Sequence, residues 1–253
     1  AVMVGSAVLA AVPPSLFEID GNAVDDGTTG VDWGSLYSSW PGGPFGSAKG
    51  YVFVSDPVAP DSSFFRTGGS KDVNNLNQWE YATVNNPSPD KDNIVNAYAA
   101  AYIDPSTTHL LLYFGMDRFA NDGDAQVGFW FFQNEVTLNA SGNNFIGTHA
   151  TGDILVQVNF TKGGVITNLS VYEWDPTAPD NLLLISSGST ADVVAALNTV
   201  PVTSPWPYVS KYGDINTFPV SDFFEGGIDL TALIGQNICF STFIAETRSS
   251  QSF

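Results

Sequence analysis

The sequence predicts an all-β protein, an antiparallel two-sheet β-sandwich of jelly-roll type, and three observations carry that expectation. Short runs rich in β-branched and aromatic residues recur along the chain, bounded by Gly, Pro, Asn or Asp, with no alternation of strand and helix. Hydrophobic residues make up 43% of the 253 positions and aromatic residues 13%, enough to fill the space between packed sheets. Charged residues reach only 13%, so Ser, Thr, Asn and Gly must supply the polar surface, as they do in extracellular β proteins.

Two parts are expected: an apolar N-terminal strand with a Pro-Pro hinge over residues 1–14, and a single sandwich domain over residues 15–253. Residues 1–12 (AVMVGSAVLAAV) are almost wholly apolar and end at Pro13-Pro14, with no Lys or Arg ahead of them. They therefore read as part of the folded protein rather than as a leftover export signal. With a period of two, Val2, Val4, Val8 and Val12 share one face while Met3, Ala7, Leu9 and Ala11 share the other. Both faces are apolar, the pattern of a strand buried between layers.

In the domain, strands are expected over residues 51–54, 97–103, 109–114, 126–132, 153–160, 165–174, 182–186 and 238–246. Short helical turns are expected over residues 35–40, 191–197 and 230–234, the last stopped by Gly235. No run reaches the roughly 18 apolar residues of a membrane-spanning helix. Eight Lys and Arg against 26 Asp and Glu give a net charge of −18, which repels nucleic acid and anionic membranes and attracts cations. Cys239 is the one cysteine, so no intrachain disulfide can form, and in the run Ile238-Cys239-Phe240 it is expected to be a small buried residue.

Several blocks carry a resemblance. FEIDGNAVDDGTTGVDW (17–33), FFRTGGSKDVNNLNQWEY (64–81), PDKDNIVNAYAAAY (89–102) and LLYFGMDRFANDGDAQVGFWFF (111–132) are similar to blocks of a family of secreted bacterial surface proteins. GDILVQVNF (152–160), VYEW (171–174) and CFSTFIAETRSS (239–250) continue the similarity in order. The resemblance implies export and surface attachment, and no particular biochemical activity. Residues 113–132 also resemble, more loosely, sugar-binding or haem-binding sandwich modules of the carbohydrate-binding and DOMON type.

The acidic loops are the candidate metal sites. Asp20, Asn22, Asp25 and Asp26 cluster beside a glycine, and Asp117, Asn121, Asp122 and Asp124 cluster around Gly123. Calcium takes six to eight oxygen ligands of these kinds, so Asp20, Asn22, Asp25, Asp117, Asp122 and Asp124 are its candidate ligands. Plain turn and capping chemistry is the competing explanation. Asp90, Asp92 and Asn93 form a weaker third cluster that Lys91 could neutralise.

Enzyme motifs are absent from the sequence. His109 and His149 lack the partners of a zinc site, and there is neither a Gly-x-Ser-x-Gly elbow nor a phosphate-binding loop. Trp206, between two prolines, is expected to be exposed and is the candidate glycan contact.

Two functions follow. In the first, the chain is an extracellular structural protein, a subunit of a surface filament or pilus-like homopolymer. Each copy gives its N-terminal strand, through Val2, Met3, Val4, Val8, Leu9 and Val12, to the sheet of the next, the competing reading being that residues 1–12 fill an edge or groove of their own sandwich. Their burial represents on the order of 10 kcal/mol before ordering entropy, enough to hold subunits together. In the second, the sandwich is a calcium-stabilised carbohydrate-binding module that presents Trp206 and the acidic loops to a polysaccharide.

Overall fold

The computed structural model describes residues 12–27, 30–43, 45–56, 63–66, 68–83, 88–161, 165–236 and 238–248. Ten strands build the sandwich: β1 (Ala48–Ser55), β2 (Ile94–Ile103), β3 (Leu110–Arg118), β4 (Ala125–Phe132), β5 (Ile154–Phe160), β6 (Ile166–Trp174), β7 (Leu182–Ser187), β8 (Val193–Leu197), β9 (Phe223–Asp229) and β10 (Thr242–Arg248). Sheet one has the order β1-β2-β3-β9-β8 and sheet two the order β7-β6-β5-β4-β10, with every pairing antiparallel. Two short helices accompany them, α1 (Trp33–Ser39) ahead of β1 and α2 (Leu230–Ile234) directly after β9, and Gly235 closes α2 in the left-handed conformation. No described helix is long and apolar enough to cross a membrane.

The core between the sheets takes alternate residues of each strand, including Leu112, Phe114 and Met116 of β3, Phe129 and Phe131 of β4, and Val156 and Val158 of β5. The other alternates are buried as well. On the outer face of sheet one, Tyr98, Tyr102, Tyr113 and Phe223 pack under Phe17, Trp33, Trp206 and Phe218. On the outer face of sheet two, Trp130, Phe132, Leu155 and Trp174 pack under Leu76 and Trp79. The central strands are thus covered on both sides, which is why β3, β4 and β5 are buried at every position and read as largely apolar runs, broken only by Asp117, Arg118, Gln126, Gln157 and Asn159.

Three sequence expectations are corrected. Residues 191–197 were expected as a helical turn but include β8, because pairing Val193–Leu197 with Phe224–Ile228 of β9 outweighs the helix preference of two alanines. The expected strand over residues 238–246 begins only at Thr242, as β10. Cys239 is exposed rather than buried. Ile238 turns toward Gly152 and Phe240 toward the inter-sheet core, so the residue between them faces outward. Of the expected N-terminal strand, residues 1–11 lie outside the described residues.

Gly115 on β3 shows how tightly the outer aromatic layer sits on sheet one. A Cβ there would lie 2.2 Å from the Tyr98 ring and 2.6 Å from the Phe224 carbonyl oxygen. Gly115→Ala is expected to cost about 1–3 kcal/mol through overpacking, read as a lower urea midpoint with unchanged slope.

Candidate functional site

The candidate site is the acidic turn that follows the Pro-Pro hinge. The Glu18 amide donates to the Val31 carbonyl (2.9 Å) and the Val31 amide to the Leu16 carbonyl (3.3 Å), closing the loop between them. Gly30 is packed so closely against Glu18 and the Pro14 carbonyl that a Cβ would approach within 2.5 Å of the latter. Asp32 then caps α1, accepting from the Trp33 amide at 2.5 Å.

Glu225 of β9 pins this turn to sheet one. One carboxylate oxygen accepts from the amides of Asp20 (2.8 Å) and Gly21 (2.6 Å), and the other from the Trp33 indole N–H (3.1 Å). Burial, with the nearby Asp32 and Asp20 charges, raises the Glu225 pKa well above the usual carboxylate value, while the two amides oppose the shift.

Around that anchor, carboxylates accumulate without a compensating cation among the described residues. Oxygens of Glu18, Asp20 and Asp26 lie within 4.8 Å of one another, so these three residues could hold a metal ion. Glu18 is 3% exposed, and among the described residues neither of its carboxylate oxygens has a hydrogen-bond partner. Asp20 and Asp26 are exposed. Asp32 is fully buried and its second oxygen is also unpartnered. Among the described residues, none of these acids takes part in an ion pair.

The electrostatics follow from that crowding. The pKa of Glu18 is raised by burial and by Asp20, Asp26 and Asp25, against the pull of the Gly30 amide. Burial and the Asp20, Glu18 and Asp25 charges push Asp32 up to about 8 against the pull of the Trp33 amide. Two carboxylates at this separation repel by about 1 kcal/mol in water and about 3 kcal/mol at an effective dielectric constant of about 20.

The six calcium ligands expected from sequence are not brought together. Asp20 belongs to the converging group, with its oxygens also accepting the amide and side-chain N–H of Asn22. Asn22 itself accepts from the Val24 amide and Asp25 from the Gly27 amide, so both are occupied as turn caps. Asp117 sits inside β3, fully buried, accepting from the Asn96 amide group (2.9 Å) and the Trp206 indole (2.8 Å). Asp122 accepts from Lys211 and Tyr212, each at 2.5 Å, and the Asp124 carbonyl receives Lys91. Lysines thus serve the second loop where the first has none.

Trp206 is not exposed. It is 3% accessible because the Pro205-Trp206-Pro207 loop folds back onto sheet one, with the ring 4.9 Å from Tyr98. Sequence reasoning also missed Glu18, Asp32 and Glu225 as parts of the acidic site. A single acid inside an apolar run, as in Leu16-Phe17-Glu18-Ile19 and Phe223-Phe224-Glu225, was the signal available.

Val12, the one expected subunit-contact residue that is described, packs in its own chain. Its amide donates to the Ala191 carbonyl beside β8 (3.2 Å), and its side chain is buried against the outer face of sheet one. Val2, Met3, Val4, Val8 and Leu9 lie outside the described residues.

At the opposite edge, where β10 ends sheet two and β1 ends sheet one, a groove opens. Its main part, about 470 Å3, is lined by Phe64, Phe65, Tyr81, Phe145, Ile244 and Arg248 among others. A second part of about 260 Å3 shares Tyr81, Ile94, Ile244 and Ala245 and extends to Val54 and Phe243. Behind it, Lys71 pairs with Asp72 (2.6 Å) and Glu246, and the Trp130 indole donates to Asp72 (3.1 Å).

The histidines have structural partners: His109 pairs with Asp229 (2.8 Å), and His149 stacks on Trp174 at 3.7 Å and pairs with Asp153 (3.2 Å). No family model matches the chain, and neither a curated protein nor a solved structure matches it.

Asp117 supplies a test of the buried acids. Burial pushes it from 3.8 to about 8, against the hydrogen bonds from Asn96 and Trp206. Between those values the folded state keeps a proton that the unfolded state sheds. Stability should therefore fall as pH rises from about 4 to about 8, by at most about 1.4 kcal/mol per pH unit for this group, and level off above. Asp117→Asn, which retains an acceptor oxygen, should flatten this slope in urea titrations run across that range.

Proposed function

We propose that the protein is an extracellular, non-catalytic structural subunit that joins copies of itself by strand addition. Residues 1–11 of one copy would enter the groove beside β10 of the next. The observation that carries this proposal is the position of the groove. It runs along an edge strand, at the opposite edge of the sandwich from the point where Val12 meets Ala191. An exit at one edge and a receptor at the other is the arrangement a head-to-tail contact needs, and such a contact repeats into a filament when it does not close.

The chemistry of the two partners is complementary. Eleven extended residues span about 36 Å, and their two apolar faces suit a groove walled by Phe64, Phe65, Phe145 and Ile244. The free edge of β10 offers main-chain groups to fix the register. The resemblance to secreted surface proteins favours the same setting. The cation such a subunit would carry is calcium, the ion that the all-oxygen acidic turn suits. Burial of Trp206 removes the main support for the polysaccharide-binding alternative.

Deleting residues 1–11 is expected to abolish assembly and leave a folded monomer, and a synthetic peptide of residues 1–12 should bind that monomer in trans. Replacing Val4 and Val8 by Asp in the full chain should act like the deletion, because an unpaired carboxylate in the groove is strongly unfavourable. Light scattering and electron microscopy read the result. A full-length chain that stays monomeric, or a truncated one that still polymerises, would falsify the proposal.

A further inference from the structure

We propose that Glu18, Asp20 and Asp26 form a single calcium site, with Asp32 as a buried negative charge behind it. The assignment deepens the calcium reading given above and is independent of assembly.

Convergence of acids alone would carry little weight. The second observation is Glu18, a side chain more than nine-tenths buried with both carboxylate oxygens unpartnered, whose ligand oxygen lies within 4.8 Å of those of Asp20 and Asp26. Buried carboxylates ordinarily find a donor or a counter-charge, because desolvation without one is costly. Here no Lys, Arg or His among the described residues pairs with it, while the equally buried Asp222 faces Arg118. A divalent cation supplies the missing charge.

The donor set names the class of ion. Three carboxylates with no imidazole or thiolate are hard oxygen ligands, suited to calcium rather than zinc or copper. Glu225 holds the backbone of Asp20 and Gly21 to β9, so one ligand is positioned before the ion arrives. Asp26 stands on the exposed side, where an ion can enter and water can complete the coordination.

The test uses the full chain, dialysed against chelator until elemental analysis finds no metal, then titrated with calcium chloride by calorimetry and by thermal melting. One calcium per chain and a rise in melting temperature are expected. Glu18→Gln and Asp26→Asn should each weaken binding by about tenfold or more, while Asp122→Asn should bind as the parent does. Because Asp26 is exposed, Asp26→Asn keeps the test valid even if Glu18→Gln folds poorly. The site is overturned if the metal-free chain takes up no calcium at millimolar concentration. It is equally overturned if uptake and the melting shift persist unchanged in Asp26→Asn, an outcome that would leave calcium binding standing at another location.

Discussion

A carboxylate on β9 anchors the acidic turn and Trp33 in the layer that covers sheet one. Glu225 is fully buried on β9, and its two oxygens receive three N–H groups from the segment that carries Asp20, Gly21 and Trp33. Leaving such a group unpartnered in the interior would cost several kcal/mol, so the segment is held where it can supply the donors. Trp33 then lies over Tyr98 and Phe17, and Phe17 stacks on Tyr113 at 4.4 Å. The acidic turn is thus presented at the surface by a polar contact that lies inside an aromatic layer.

The same economy appears on sheet two. Lys71, Asp72, Glu246 and Arg248 are buried together beneath Phe65 and Trp79, with the Lys71 ammonium 4.3 Å and 4.6 Å from those two rings. Burying both outer faces is how a chain with few charges keeps its many aromatic residues from water. Among the described residues, the edge strands β1 and β7 are more exposed than the central ones. The groove beside β10 and the Val12 contact beside β8 both lie at edges of the sandwich.

Most of the sandwich was legible from sequence because strands such as Gln126-Val127-Gly128-Phe129-Trp130 carry β-branched and aromatic residues between turn residues. β9 was not. Phe223-Phe224-Glu225-Gly226-Gly227-Ile228-Asp229 contains two acids and two glycines, which argue locally against a strand. Their reasons are tertiary: a Cβ at Gly226 would strike Phe114, and Glu225 answers donors some 200 positions away. The acidic turn was visible as a cluster, but its depth was not. Asp25 and Asn22 look like ligands and act as turn caps, whereas Glu18, set in an apolar run, faces the other acids. Trp206 failed as a surface residue because proline flanks say nothing about which side of a loop meets the sheet.

The hinge and the acidic turn form one local structure, since Gly30 packs against the Pro14 carbonyl and Val31 bridges Phe17. What holds the turn therefore also holds Pro14 beside it. Hydrogen exchange in a Glu225→Leu variant tests that dependence most directly. The amides of Asp20, Gly21 and Val31 should lose protection together, while Phe129 and Val156 in the inter-sheet core keep theirs. Unchanged protection at Asp20 and Gly21, or a uniform loss across both sheets, would contradict the central role given to Glu225.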